Sequence, residues 1–93
     1  MQPGRRVAFD IGKARIGIAV SDPHGILASP REFVPRQPDL EATITLMLAA
    51  VREDEPLEYY IGLPTNLRNQ ATLSTDDAVA VAGALQQACV QQV

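Results

Sequence analysis

The residues of this sequence that could carry chemistry gather around one carboxylate. Asp10 ends a short apolar run, and Gly12, Lys13, Arg15 and Gly17 follow it closely. A carboxylate at a strand end offers a hard oxygen ligand to a divalent cation, and nearby basic side chains offer contacts to phosphates. An Asp before a glycine is also an ordinary turn former, and Lys13 and Arg15 could be solvated charges or ion-pair partners of Asp10. The residue types alone are compatible with two interpretations: a site that binds a metal ion and phosphates, and a turn without a ligand.

Other titratable residues have simpler interpretations. Asp22 lies roughly 17 Å along its strand from the position opposite Asp10, at about 3.3 Å per residue, and is too far away to share a metal ion. It begins a predicted turn that also contains His24, for which a solvated loop position is expected. Asp76 and Asp77 are predicted to interact with a helix dipole. The single cysteine, Cys89, is predicted to be a small buried hydrophobe without chemistry.

The hydrophobic pattern predicts an α/β fold with the element order β-β-β-α-β-α. Its period of two, broken by Gly and Pro, marks strands over 6–10, 16–21, 26–34 and 57–63. One apolar stripe predicts a helix from Asp39 to about Val51, and another a helix capped by Ser74 or Thr75. A helix between strands implies a crossover that joins parallel strands. The small side chains on one face of the second strand leave room for a helix to lie on that face.

Three segments together resemble one known family. They are the run 10–23, the segment 26–30, and Gly62-Leu63-Pro64 followed by Asn66. Their order and spacing are similar to the YqgF family, also called RuvX, of pre-16S rRNA nucleases, and the resemblance covers residues 6 to about 90. It implies a ribonuclease H-like mixed sheet of order 3-2-1-4-5 and a metal-dependent nuclease that processes the 5′ end of pre-16S rRNA. Residues 1–93 are expected to form a single domain of this kind that is incomplete at its C-terminus.

The resemblance also implies roles for particular residues. Asp10 matches the first of the family's metal-binding carboxylates, which hold Mg²⁺ or Mn²⁺. Apart from the resemblance, the place of Lys13 and Arg15 at the predicted hairpin tip beside Asp10 makes them candidates for phosphate contacts. Asn66 would follow a parallel strand at the edge where ligands bind in open α/β sheets, although a turn-forming Asn is nearly as good an interpretation. The expected partner is precursor rRNA, with branched DNA as the alternative.

The family's other acids lie on a fifth strand and a C-terminal helix, and this sequence stops at Val93 before either. The resemblance therefore implies a fold truncated before its fifth strand. We expect the chain to be inactive as a nuclease by itself, because one carboxylate fills few of the roughly six positions around Mg²⁺. The strand over 57–63 would become an edge strand, which makes self-association through it a hypothesis.

Composition and charge narrow the classes of function. The sequence has neither a membrane-spanning run nor a signal peptide, so a cytoplasmic location is expected. Residues 1–36 carry six basic and three acidic residues, a balance of +3, and residues 37–93 carry two basic and eight acidic residues, a balance of −6. This asymmetry permits a nucleic-acid face on the N-terminal half. A non-catalytic nucleic-acid-binding module and a Holliday junction resolvase-like nuclease remain alternatives. A sugar kinase or actin-like phosphotransferase needs two such domains and is excluded by length.

Overall fold

The computed structural model describes residues 3–62, 73–89, 91 and 93. These residues form four strands and two α-helices in the predicted order, with a short 3-10 turn after the first helix. The elements are β1 (Arg6–Ile11), β2 (Arg15–Ser21), β3 (Ala28–Pro35), α1 (Leu40–Ala50), the 3-10 turn (Arg52–Asp54), β4 (Glu58–Ile61) and α2 (Leu73–Ala88).

The strands form one mixed sheet of order β3-β2-β1-β4. β1 pairs antiparallel with β2 and parallel with β4, as the crossover through α1 requires. β3 pairs antiparallel with β2, and a bulge places two of its residues opposite Gly17. β3 lies at one edge of the described sheet, where Pro30 and Pro35 are tolerated because proline cannot donate to a ladder on both sides. This order matches the first four strands of the ribonuclease H-like sheet that the resemblance implies, and it makes β1 a central strand.

Both helices pack against one face of the sheet. The core contains the alternate residues of β1 and β2, with Met47 of α1, and with Val81 and Leu85 of α2. Tyr59 of β4 is buried there and stacks on Phe9, with ring centroids 5.8 Å apart. The small face of β2 has room for a helix, but both described helices lie on the other face, over Ile16, Ile18 and Val20. The apolar face is the covered one, because its larger side chains bury more apolar area.

The remaining face of the sheet is called the open face here, because no described helix packs on it. Phe33 and Tyr60 are exposed on this face, at 54% and 53%. Between them the floor consists of small side chains. The open face includes Ala8, Asp10, Gly17, Ala19, Phe33 and Tyr60.

Several element boundaries differ from the predictions. β3 begins at Ala28 rather than residue 26, because the preceding residues belong to a loop organised by Asp22. Asp39 caps α1 as predicted, and its carboxylate accepts a hydrogen bond from the Glu41 backbone. α2 begins at Leu73, so the predicted caps Ser74 and Thr75 lie inside its first turn. Within the described ranges, neither helix combines the length and hydropathy that a membrane span needs.

Candidate functional site

The carboxylate of Asp10 lies on the open face near the carboxyl end of the central strand β1. Asp10 is opposite Gly17 of β2, and beyond its other side the Gly62 backbone donates to the Phe9 carbonyl at 3.1 Å. Its side chain is exposed and forms no hydrogen bond or ion pair with any residue of the described part of the chain. Glycines therefore flank an acid whose oxygens remain accessible to a ligand.

The turn after Asp10 depends on Gly12. Its backbone N–H donates to the Arg15 carbonyl at 3.0 Å, which closes the hairpin between β1 and β2. A Cβ added at this position would lie 2.6 Å from that carbonyl oxygen, closer than real Cβ atoms come. Only glycine fits this close approach of two backbones without a shift of the turn, so the sequence pattern around Asp10 has a structural cause.

An ion pair that sequence reasoning missed holds the same turn in place. Arg36 donates to the Gly12 carbonyl at 3.0 Å and makes a bidentate contact with Asp77 of α2, at 2.8 and 2.7 Å. Their mutual hydrogen bond is the main reason that the pKa of Asp77 is lowered and the pKa of Arg36 is raised. Asp77 was predicted only to interact with the helix dipole. Its partner lies 41 positions away, and no local sequence signal connects them.

Lys13 and Arg15 are both exposed near the Asp10 end of the sheet, but neither forms an ion pair with Asp10 in the described structure. The positive charge of Lys13 contributes to the lowered pKa of Asp77. The guanidinium of Arg15 lies over the ring of Phe33, with its Cζ 4.9 Å from the centroid. Arg15 is therefore held by an aromatic ring on the open face.

The remaining candidates do not join Asp10. Asn66 lies outside the described residues. Asp22 is a loop former, because its carboxylate accepts backbone hydrogen bonds from His24, Ile26 and Leu27 at 3.0, 3.0 and 3.1 Å. These bonds, that from Ile26 first, lower the pKa of Asp22.

The accessible carboxylate of Asp10 fits one ligand position of a hard divalent cation. In the parts of the chain that the structure describes, no three His, Cys, Asp or Glu residues group closely enough to hold a metal ion. The described residues thus fit a contribution to such a site and do not form a full coordination shell.

Comparison with known proteins shows that this chain is similar to members of one family. A family model described as RuvX, Holliday junction resolvase, matches residues 4–93. Relatives carry the name "Putative pre-16S rRNA nuclease". One from Clavibacter michiganensis is 51% identical over 78 residues, which cover 84% of this chain and 48% of the relative. One from Rhodococcus erythropolis is 46% identical over 89 residues, which cover 91% of this chain and 50% of the relative. The chain spans about half the length of the curated relatives it matches.

Proposed function

Since this chain belongs to the RuvX family, we propose that it acts in a metal-dependent nuclease that processes precursor 16S rRNA, with Asp10 as a metal ligand. One observation carries the proposal: an accessible carboxylate without a protein partner among the described residues lies on the central strand, beside two glycines. An acid serving only to form a turn would be expected to accept backbone N–H groups, as Asp22 does.

The roles of the other residues follow from charge and position. Lys13 and Arg15 contact phosphates of the nucleic acid near Asp10, and Asn66 is proposed as a further contact from its place in the sequence. Mg²⁺ or Mn²⁺, when bound, would stabilise charge on the phosphodiester and activate water. Asp10 supplies one hard oxygen ligand for that ion. The Arg36 contact with the Gly12 carbonyl holds the turn that follows Asp10.

By itself the 93-residue chain is proposed to bind metal weakly and to lack nuclease activity. Asp10 supplies one carboxylate, and the described residues contain no group of three His, Cys, Asp or Glu side chains that could hold a metal ion with it. Phosphodiester hydrolysis by two metal ions needs several shared ligands, with the ions about 3.5–4 Å apart. The chain is therefore proposed to contribute one metal ligand and the nucleic-acid contacts to the nuclease site.

The test measures binding and cleavage together. The chain, Asp10→Asn and Arg15→Ala are titrated into labelled precursor 16S rRNA and a four-way DNA junction, with Mg²⁺ or Mn²⁺. We expect weak, salt-dependent binding of precursor rRNA that falls in Arg15→Ala, and no cleavage. Tighter binding of the junction would favour a DNA resolvase. Failure to bind either nucleic acid would contradict the proposal, and cleavage abolished by Asp10→Asn would refute the inactivity of the isolated chain.

Self-association through the edge of β4 (Glu58–Ile61), within the segment predicted as a strand, is a separate proposal. Within the described sheet β4 has only β1 beside it, so its other edge is unpaired there. Glu58, the charged residue of β4, accepts hydrogen bonds from Arg6 at 2.9 Å and from Tyr60 at 2.8 Å, so its charge is already paired and protects this edge little. Sedimentation equilibrium should show concentration-dependent dimers that Ile61→Lys weakens. A monomer at all concentrations would exclude this interface.

A further inference from the structure

Resting on the proposed function, we propose that the Arg15–Phe33 pair on the open face is a stacking site for a base of single-stranded nucleic acid. Phe33 is 54% exposed and lies in the bulge of β3. A polar side chain at this position would leave less apolar surface in contact with water. The Arg15 guanidinium lies over its ring, with 4.9 Å from Cζ to the ring centroid.

The pair has the chemistry that recognises an unpaired base. Aromatic rings and the flat guanidinium of Arg both stack on nucleobases, and the same Arg carries a charge for the adjacent phosphate. Phe33 restricts the orientation of Arg15, which reduces the conformational freedom that the side chain loses when a base binds. Arg6, Arg31 and Arg36 pair with acids of the second half of the sequence, so Lys13 and Arg15, beside the open face, supply the matching charge for a polyanion.

The open face also provides a path from this pair to Asp10. Phe33 lies in the bulge opposite Gly17, and Gly17 is opposite Asp10 on the next strand. Two strand spacings separate Phe33 from Asp10, about 10 Å in total. Gly17 between them has no side chain, and a Cβ there would lie 3.4 Å from the Cβ of Asp10. A nucleic-acid strand whose base stacks on the pair can therefore pass over Gly17, and its sugar-phosphate backbone then reaches Asp10.

The experiment uses single-stranded RNA that carries 2-aminopurine, whose fluorescence reports stacking, and a duplex of the same sequence. Phe33→Leu keeps an apolar side chain but removes the ring, and Arg15→Lys keeps the charge but removes the plane. Both variants should weaken single-strand binding about tenfold and relieve the fluorescence quenching. Arg15→Lys should keep the salt dependence of the parent, whereas Arg15→Ala should lower its slope by about one. Ile26→Ala, in an exposed apolar position of the β2–β3 loop, is the matched control and should bind like the parent.

Three results would overturn the inference. They are unchanged affinity in Phe33→Leu, an equal loss for duplex and single strand, and a fall in self-association of Phe33→Leu that shows a second copy covering this face. Circular dichroism of each variant establishes that it is folded. Metal binding at Asp10 is measured separately on the same variants, so a failure of stacking with Asp10 intact leaves the nuclease proposal standing. If a base stacks on the pair but Asp10 binds no metal, the proposed nuclease site is refuted and the stacking site stands.

Discussion

The ion pair between Arg36 and Asp77 gives a prediction whose size follows from the structure. The two side chains are 18% and 35% exposed, and their shortest contact is 2.7 Å. Exposed ion pairs contribute about 0.2–1 kcal/mol, and the bidentate, partly shielded geometry places this one at the upper end. Asp77→Asn should therefore lower the free energy of unfolding by about 1 kcal/mol. In a domain of this size the melting temperature would fall by about 4–8 °C.

The pH dependence gives the prediction a sign. The folded pKa of Asp77 lies below its ordinary value of 3.8, so its contribution is fully present above that value and is lost as the pH falls through the folded pKa. The difference in stability between the parent and Asp77→Asn should be present at pH 7 and should disappear in stronger acid. Urea unfolding at a series of pH values, with and without high salt, measures it.

Asp76→Asn is the matched control for this variant. Asp76 is the neighbouring, exposed acid in the first turn of α2, and it forms no ion pair with another described residue. The two substitutions remove the same charge near the same helix dipole. Equal losses of stability in both variants, or a loss in Asp77→Asn that persists in acid below its folded pKa, would refute a role for the pair. The Lys13 amide resonance, which follows the Gly12 carbonyl, should shift in Asp77→Asn only.

Three further substitutions test the fold around the site. Gly12→Ala should distort the hairpin turn and cost about 1–3 kcal/mol of unfolding free energy, because its Cβ would meet the Arg15 carbonyl oxygen at 2.6 Å; an unchanged urea midpoint would contradict this contact. Asp22→Ala should lower the melting temperature at pH 7. Because the lowered pKa of Asp22 makes the stability of the parent fall in acid, the stability of the variant should depend less on pH there. The same loss of stability in acid for the variant and the parent would contradict this role of Asp22. Leu85→Ala should cost about 2–5 kcal/mol, while Val79→Ala, in an exposed position of the same helix, should stay within about 0.5 kcal/mol of the parent; similar effects would place the core elsewhere.

The fold was accessible from the sequence where local patterns determine it. Alternating apolar residues in β1 and β2 and the helical stripe ending near Val51 predicted the elements and their order. The side of the sheet that the helices cover was not predictable from the small residues, because burial depends on the area available on both faces. Here the larger Ile16 and Ile18 were buried, and Gly17 stayed on the open face.

The site was accessible only in part for the same reason. Asp10 and its glycines are neighbours in sequence, so their pattern was visible. Arg36 follows β3 and meets Asp77 of α2, a helix that packs on α1 and β1, and Phe33 meets Arg15 through a bulge in the β2–β3 register. Such contacts depend on strand register and on the placement of the helix, which the spacing of residues along the sequence does not determine. Asn66 stays a prediction, because it lies outside the described residues.

Paramagnetic broadening by Mn²⁺ shows whether the Asp10 carboxylate is a metal ligand. Amide resonances of the labelled chain are recorded during a Mn²⁺ titration, beside Asp10→Asn. A weak site at Asp10 should broaden the amides of Asp10, Gly17 and Gly62 first, because these residues lie side by side on neighbouring strands. The variant should lose this effect. Broadening that begins at the acidic segment 53–55, or that is unchanged in Asp10→Asn, would contradict the account.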